Sequence, residues 1–274
     1  MMKNKILMTA VALSLLLGFQ SLHAQGRSSS KEKLLTVLTV KSAGEKAEKG
    51  VPSYIQTTLK ETSRFKTETE QIESSGSDRK NTRGWIEIAV PFKTMYSERM
   101  PWLENTEVEI RVMVPMRDDR MKITWGVLSG KILLAPIPNN PVETAKTTHY
   151  FRAYIPPYIV ARYFPAIEKR KDLEKIVEAL PVFVAFRLSN GSMAYGIRPL
   201  EKDFAKFAGK SGIPAFPAKM KIEPAATGKM FAAFDANPRT FFEVPDAILP
   251  ASKTPWAWHE YDKQVNPIED TRRR

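Results

Sequence analysis

Hydrophobic and polar positions alternate most strictly between Arg83 and Pro136, and the alternation predicts three strands in succession. In Gly84–Phe92, Ile86, Ile88, Val90 and Phe92 fall on one face, against Trp85, Glu87, Ala89 and Pro91. In Thr106–Val114 the inward set is Val108, Ile110, Val112 and Val114, with Glu107, Glu109, Arg111 and Met113 opposite. In Met121–Leu128, Ile123, Trp125 and Val127 alternate with Lys122, Thr124 and Gly126. Successive Cβ atoms of a strand point to opposite faces, so a period of two marks a half-buried strand. The face carrying Glu87, Glu107, Glu109, Arg111 and Lys122 is expected to meet solvent or a partner.

Further strands are expected at Leu34–Val40, Ser53–Leu59 and Thr147–Ile155, the last stopped by Pro156-Pro157. Shorter ones fit Lys219–Ile222, Met230–Phe234 and Thr240–Val244, with a turn at Asp235–Pro238. Prolines 136, 138 and 141 must end a sheet or mark its edge, because proline brings no N–H to a ladder. Asn190-Gly191 predicts a tight type I′ hairpin over Val182–Ile197. With a two-residue turn, Leu188 faces Met193, Phe186 faces Tyr195 and Val184 faces Ile197. That register puts six bulky side chains on one face, leaving Ala185, Arg187, Ala194 and Gly196 on the other.

The helix signal covers 166–180. Leu173, Ile176, Val177 and Leu180 form one apolar stripe among charged residues, between Pro165 and Pro181. The predicted fold is therefore mainly β, an immunoglobulin-like β-sandwich (34–255, with a potential sub-domain division near 156–165) carrying one amphipathic surface helix. Residues 25–33 read as a flexible lead-in and 256–274 as a C-terminal tail.

The N-terminus adds a destination. Lys3 and Lys5 precede the apolar run Ile6–Leu17, and Leu22-His23-Ala24 suits a signal-peptide cleavage site. Residues 1–24 are expected to be removed after export, and no later run reaches the roughly 20 apolar residues of a transmembrane helix. The chain has no cysteine, so neither a disulfide framework nor a cysteine-linked lipid anchor is expected. Roughly 250 remaining residues can bury enough surface for a stable core without one. The signal's two lysines take the net charge from +12 to +10. In an exported chain that excess suits an anionic glycan or envelope surface rather than nucleic acid.

Candidate chemistry is sparse, and no catalytic, cofactor-binding or metal residue is assigned. His149 and His259 stand far apart without metal-ligand spacing. Ser28-Ser29-Ser30-Lys31 has an S-x-x-K spacing but lies in the lead-in, without its companion motifs. Gly209-Lys210-Ser211 resembles the end of a phosphate loop, yet Phe204 stands where the first glycine is needed. Asn190-Gly191-Ser192 fits a glycosylation acceptor, but the hairpin turn already explains it. Asp118-Asp119 reads as a turn, and Glu201/Asp203 as a carboxylate pair that sequence cannot place against another. Trp256 and Trp258 share one side of an extended chain, which suits either a core floor or sugar stacking.

The short strands, surface helix and signal peptide together resemble an exported protein associated with the type IV pili of mucus-dwelling Verrucomicrobia. That resemblance implies an immunoglobulin-like fold similar to archaeal pilin subunits. The chain differs from a true type IV pilin: Gly18-Phe19 is followed by Gln20–Gln25, not by a long apolar stem. The expected function is non-catalytic: pilus-associated assembly or adhesion in the periplasm, at the outer-membrane periphery or on the cell surface. Its partners would be proteins or further copies, engaged through sheet edges. A glycan-binding module using Trp256 and Trp258 is the alternative, and a secreted hydrolase with dispersed carboxylates a second.

Overall fold

The computed structural model describes residues 34–39, 52–61, 84–95, 98, 100–117, 122–139, 148–165, 167, 170–201, 204–208, 212–217, 231 and 242–254. All of them lie in one compact unit, Leu34–Arg274. They form the expected β-sandwich, built from two five-stranded sheets.

The first sheet contains β1 (Leu35–Val37), β2 (Gln56–Glu61), β3 (Gly84–Thr94), β8 (His149–Ile155) and β12 (Leu249–Pro250). Its order is β1-β3-β8-β12, with β2 also paired to β3. In the second, β5 (Glu107–Arg117), β6 (Ile123–Leu133), β9 (Val182–Arg187), β10 (Met193–Arg198) and β11 (Phe242–Val244) take the order β10-β9-β5-β6-β11. Among the described residues only the β11–β6 pairing is parallel. A separate two-stranded ribbon joins β4 (Trp102–Leu103) to β7 (Ile137–Pro138), where the prolines interrupt the main ladder.

The inner faces meet through Phe186 of β9, whose ring lies 5.1 Å from Phe92 on β3 and 5.9 Å from Phe151 on β8. Ile86, Ile88 and Val90 sit beneath, fully buried opposite Val108, Ile110 and Val112. One continuous apolar cluster runs from Leu34 to Ile248. A Cβ on Gly130 would come within 2.4 Å of the Ile248 carbonyl oxygen, so only glycine admits the chain that crosses from β11 to β12.

Four expectations are corrected. First, the outer faces are partly covered: Glu87 is 7% exposed and Arg111 6%, Glu107 and Glu109 are half-buried, and Lys122 alone of that set is exposed. Glu87 is held by Tyr154 and Lys60, and Phe231 lies over the Arg111 guanidinium at 5.2 Å.

Second, β6 is inverted. Gly126, Leu128, Gly130 and Ile132 pair with the inward residues of β5, and Trp125 and Val127 face outward. They are buried there because Phe204 and Phe216 pack on the Trp125 ring, whose Nε1–H donates to the Pro214 carbonyl at 3.0 Å.

Third, the β9–β10 register is shifted by one residue, with Phe186 opposite Ala194 and Arg187 opposite Met193. Leu188 N donates to Ser192 O, and Gly191 N to Leu188 O. Ser189, Asn190 and Gly191 are therefore a three-residue loop closed by Gly191 at φ +76. The Asn190 carboxamide oxygen accepts from both Ser192 N and its hydroxyl, which favours this longer turn. Ala194 and Gly196 face inward because β1 lies against them: a Cβ on Gly196 would meet Val37 Cγ1 at 2.4 Å.

Fourth, the expected 166–180 helix is not the only one. Among the described residues α2 spans Arg170–Ala179, and it is joined by α1 (Pro157–Tyr163) and α3 (Phe204–Ala208). Pro156 follows the last residue of β8, and Pro157 opens α1, since its fixed φ and missing N–H suit a first helical turn.

Candidate functional site

Three places concentrate chemistry: a polar network on the outer face of the first sheet, a cleft at the end of α2, and the open edge at β10.

In the network, antiparallel pairing sets Glu87 opposite Tyr154. The Tyr154 hydroxyl donates to Glu87 at 3.0 Å, Lys60 pairs with the same carboxylate, and Arg152 lies 3.6 Å from its other oxygen. Trp85 and Ala251 shield the tyrosine. Burial first, then the negative charge and hydrogen bond of Glu87, push the Tyr154 hydroxyl well above the ordinary tyrosine range. An unfolded tyrosine loses its proton from about pH 10, whereas the folded one keeps it. The stability this gives is complete below that pH and falls as pH rises toward the folded value. We expect Tyr154→Phe to remove about 1.4 kcal/mol per pH unit of alkaline sensitivity above pH ~10, read from urea midpoints against pH. Equal slopes in both proteins would refute this.

The cleft has a volume of about 470 Å³ and is lined by Tyr54, Gln56 and Thr58 on one side and Lys175, Glu178 and Glu201 on the other. Arg198 forms its floor, 4% exposed. Arg198 Nε donates to the Leu180 carbonyl at 3.0 Å, and its Nη2 to the Thr57 hydroxyl at 2.6 Å. Thr57 in turn donates to the Val177 carbonyl, and Glu201 N to that of Ala179. The Val177 and Ala179 carbonyls at the end of α2, and the Leu180 carbonyl just beyond it, are thus satisfied by β2, by β10 and by the loop after β10. Burial lowers the Arg198 pKa to about 10, against the opposing pull of Glu201, Tyr54 and Glu178. The cation remains charged at neutral pH and faces the negative end of the helix dipole. Nothing in the residue pattern pointed to Arg198, because its partners lie in β2 and α2.

The edge is defined by comparison. β1 and β11 are three residues long, β12 is two residues ending in Pro250, and β2 packs along α2. Short strands, proline and a covering helix are how sheets close their edges. β10 is neither short nor broken by proline, and the helical Phe231 packs against Tyr195 on its outer face. The strand is six residues long and uncharged from Met193 to Ile197, and no described strand pairs on its far side. Met193 is 40% exposed and Tyr195 39%.

No family model matches the chain, and no curated relative does. It is similar to a protein of known crystal structure from Akkermansia muciniphila, at 13% identity and a TM-score of 0.37. The match covers 78% of this chain and 89% of that one.

The residues singled out from sequence are scattered. His149 is buried on the inner face of β8, stacked at 5.6 Å on Phe92. Glu201 reaches the cleft, while Asp203 lies outside the described residues. Asn190-Gly191-Ser192 forms the hairpin loop. The signal and lead-in (1–33), Asp118-Asp119, Gly209–Ser211, Trp256, Trp258 and His259 also lie outside the described residues. Among the described residues no three or more histidine or acidic side chains gather as a metal set, and no helix is long and apolar enough to cross a membrane.

Proposed function

We propose that this is a non-catalytic, exported component of the cell envelope or surface, acting in pilus-associated assembly or adhesion through a sheet edge. One observation carries the reading: β10 is a six-residue edge strand without proline, uncharged from Met193 to Ile197 and with no described strand beyond it, and it exposes Met193 and Tyr195. An edge of that kind recruits another strand, with main-chain hydrogen bonds supplying affinity and neighbouring side chains supplying selectivity. The signal-like N-terminus supports export, and the basic excess suits an anionic envelope surface.

The test is size-exclusion chromatography with light scattering on the chain from Gln25, together with binding to envelope fractions. We expect concentration-dependent association or surface binding, abolished by Tyr195→Lys, since a lysine on an edge strand blocks pairing. A strict monomer at high concentration that also leaves envelope fractions unbound would overturn the proposal.

A further inference from the structure

We infer that β10 pairs antiparallel with β10 of a second copy, about a two-fold axis through Tyr195, fusing two five-stranded sheets into one. This rests on the reading of β10 as the assembly edge and names its occupant.

The hairpin sets the phase of the edge. Leu188 N donates to Ser192 O at 3.0 Å, and bonded pairs alternate along an antiparallel ladder. Ala194, Gly196 and Arg198 therefore direct their backbone toward β9, opposite Phe186, Val184 and Val182. Met193, Tyr195 and Ile197 direct theirs away from the sheet. Three outward residues centred on Tyr195 form a self-complementary set. An antiparallel copy in register places Tyr195 against Tyr195, and Met193 against Ile197 in both directions. Each outward N–H then meets an outward carbonyl. A two-fold contact of this sort closes on itself.

Side chains and charge favour the same partner. The exposed side chains of Met193 and Tyr195 stand on the outer face, where cross-strand contacts with the copy would cover them. The tyrosine ring is already braced on one side by Phe231 at 5.9 Å. Two copies of the strongly basic chain, +10 without the two lysines of residues 1–24, repel each other over most of their surface. The stretch from Ser192 to Ile197 carries no charge, so repulsion between apposed edges is least there. Arg198 at its end is turned inward onto Leu180 and Thr57.

A chain without cysteine allows a clean test. Directly opposed residues of a bonded antiparallel pair sit about 5.5 Å apart at Cα, inside the roughly 4.4–6.8 Å span of a disulfide. Under mild oxidation Tyr195→Cys should form a covalent dimer, in excess over Ser189→Cys in the exposed loop by a factor on the order of ten or more. Met193→Cys and Ile197→Cys should crosslink when mixed and only weakly alone, which keeps the inference testable should Tyr195→Cys fail to fold. Crosslinking at position 195 no faster than at 189, with no Met193–Ile197 product, overturns the inference. If the parent chain still associates by light scattering, or still binds envelope fractions, self-pairing alone falls and the broader reading stands. If the parent is monomeric and leaves those fractions unbound, both fall.

Discussion

Arg198→Ala should cost the fold about 1–3 kcal/mol, the penalty for leaving a buried acceptor unsatisfied. The guanidinium is 4% exposed and serves two elements at once, the Leu180 carbonyl after α2 and the Thr57 hydroxyl of β2. Its loss strands the Leu180 carbonyl in the interior and leaves Thr57 with one partner, Val177. Water entering through the cleft would recover part of this. Arg198→Lys should recover part as well, since an ammonium can still donate to nearby acceptors but lacks the fixed planar fork that fits both at once. Urea denaturation reads the effect as a lowered midpoint. A change below about 1 kcal/mol in Arg198→Ala would show that the helix end is held by other contacts.

Phe186→Ala should cost more, about 3–5 kcal/mol, for a different reason. The ring touches Phe92 and Phe151, which belong to neighbouring strands of the opposite sheet, so truncation opens a void where the two layers interlock. Rigid strands on either side limit how far that void can collapse. Tyr195→Ala, on the same hairpin but at 39% exposure, should leave monomer stability within about 0.5 kcal/mol. Thermal melts of both variants at low concentration separate the two positions. Equal losses would mean that the outer face of β10 is packed as firmly as the inner.

That contrast bears on how much of the fold could be read from sequence. The existence of β3, β5, β6 and β8 was legible because each alternates over seven or more residues. The stripe of α2 was legible too: Leu173, Ile176, Val177 and Leu180 are all buried. Which face of a strand turns inward was not always legible. In β6, Trp125 and Val127 were read as core because they are large and apolar. They are buried, but under Phe204 and Phe216 on the outer side, and Gly126 and Gly130 take the inner side where Met116 and Ile248 press close. In the hairpin, side-chain size argued for Met193 and Tyr195 inside. Space inside was already taken by Val37, a residue of the first strand, so Ala194 and Gly196 had to face it. Both failures have one cause: a glycine in a strand records a close approach by another segment, and local pattern does not say which. The candidate edge was missed for the same reason, since the shifted register is what exposes Met193 and Tyr195.

The crossing from β11 to β12 has a consequence for how the chain acquires this shape. Phe242 joins Gly126 in one sheet and Leu249 joins Tyr154 in the other, so a single late segment completes both. Partners so distant in sequence must find each other through a wide conformational search, which places folding in the millisecond-to-second range rather than the microseconds of local helical folds. Neither sheet is finished until residues 242–250 have been made and delivered. Some of the last residues to be made are therefore the ones that tie the two sheets to each other.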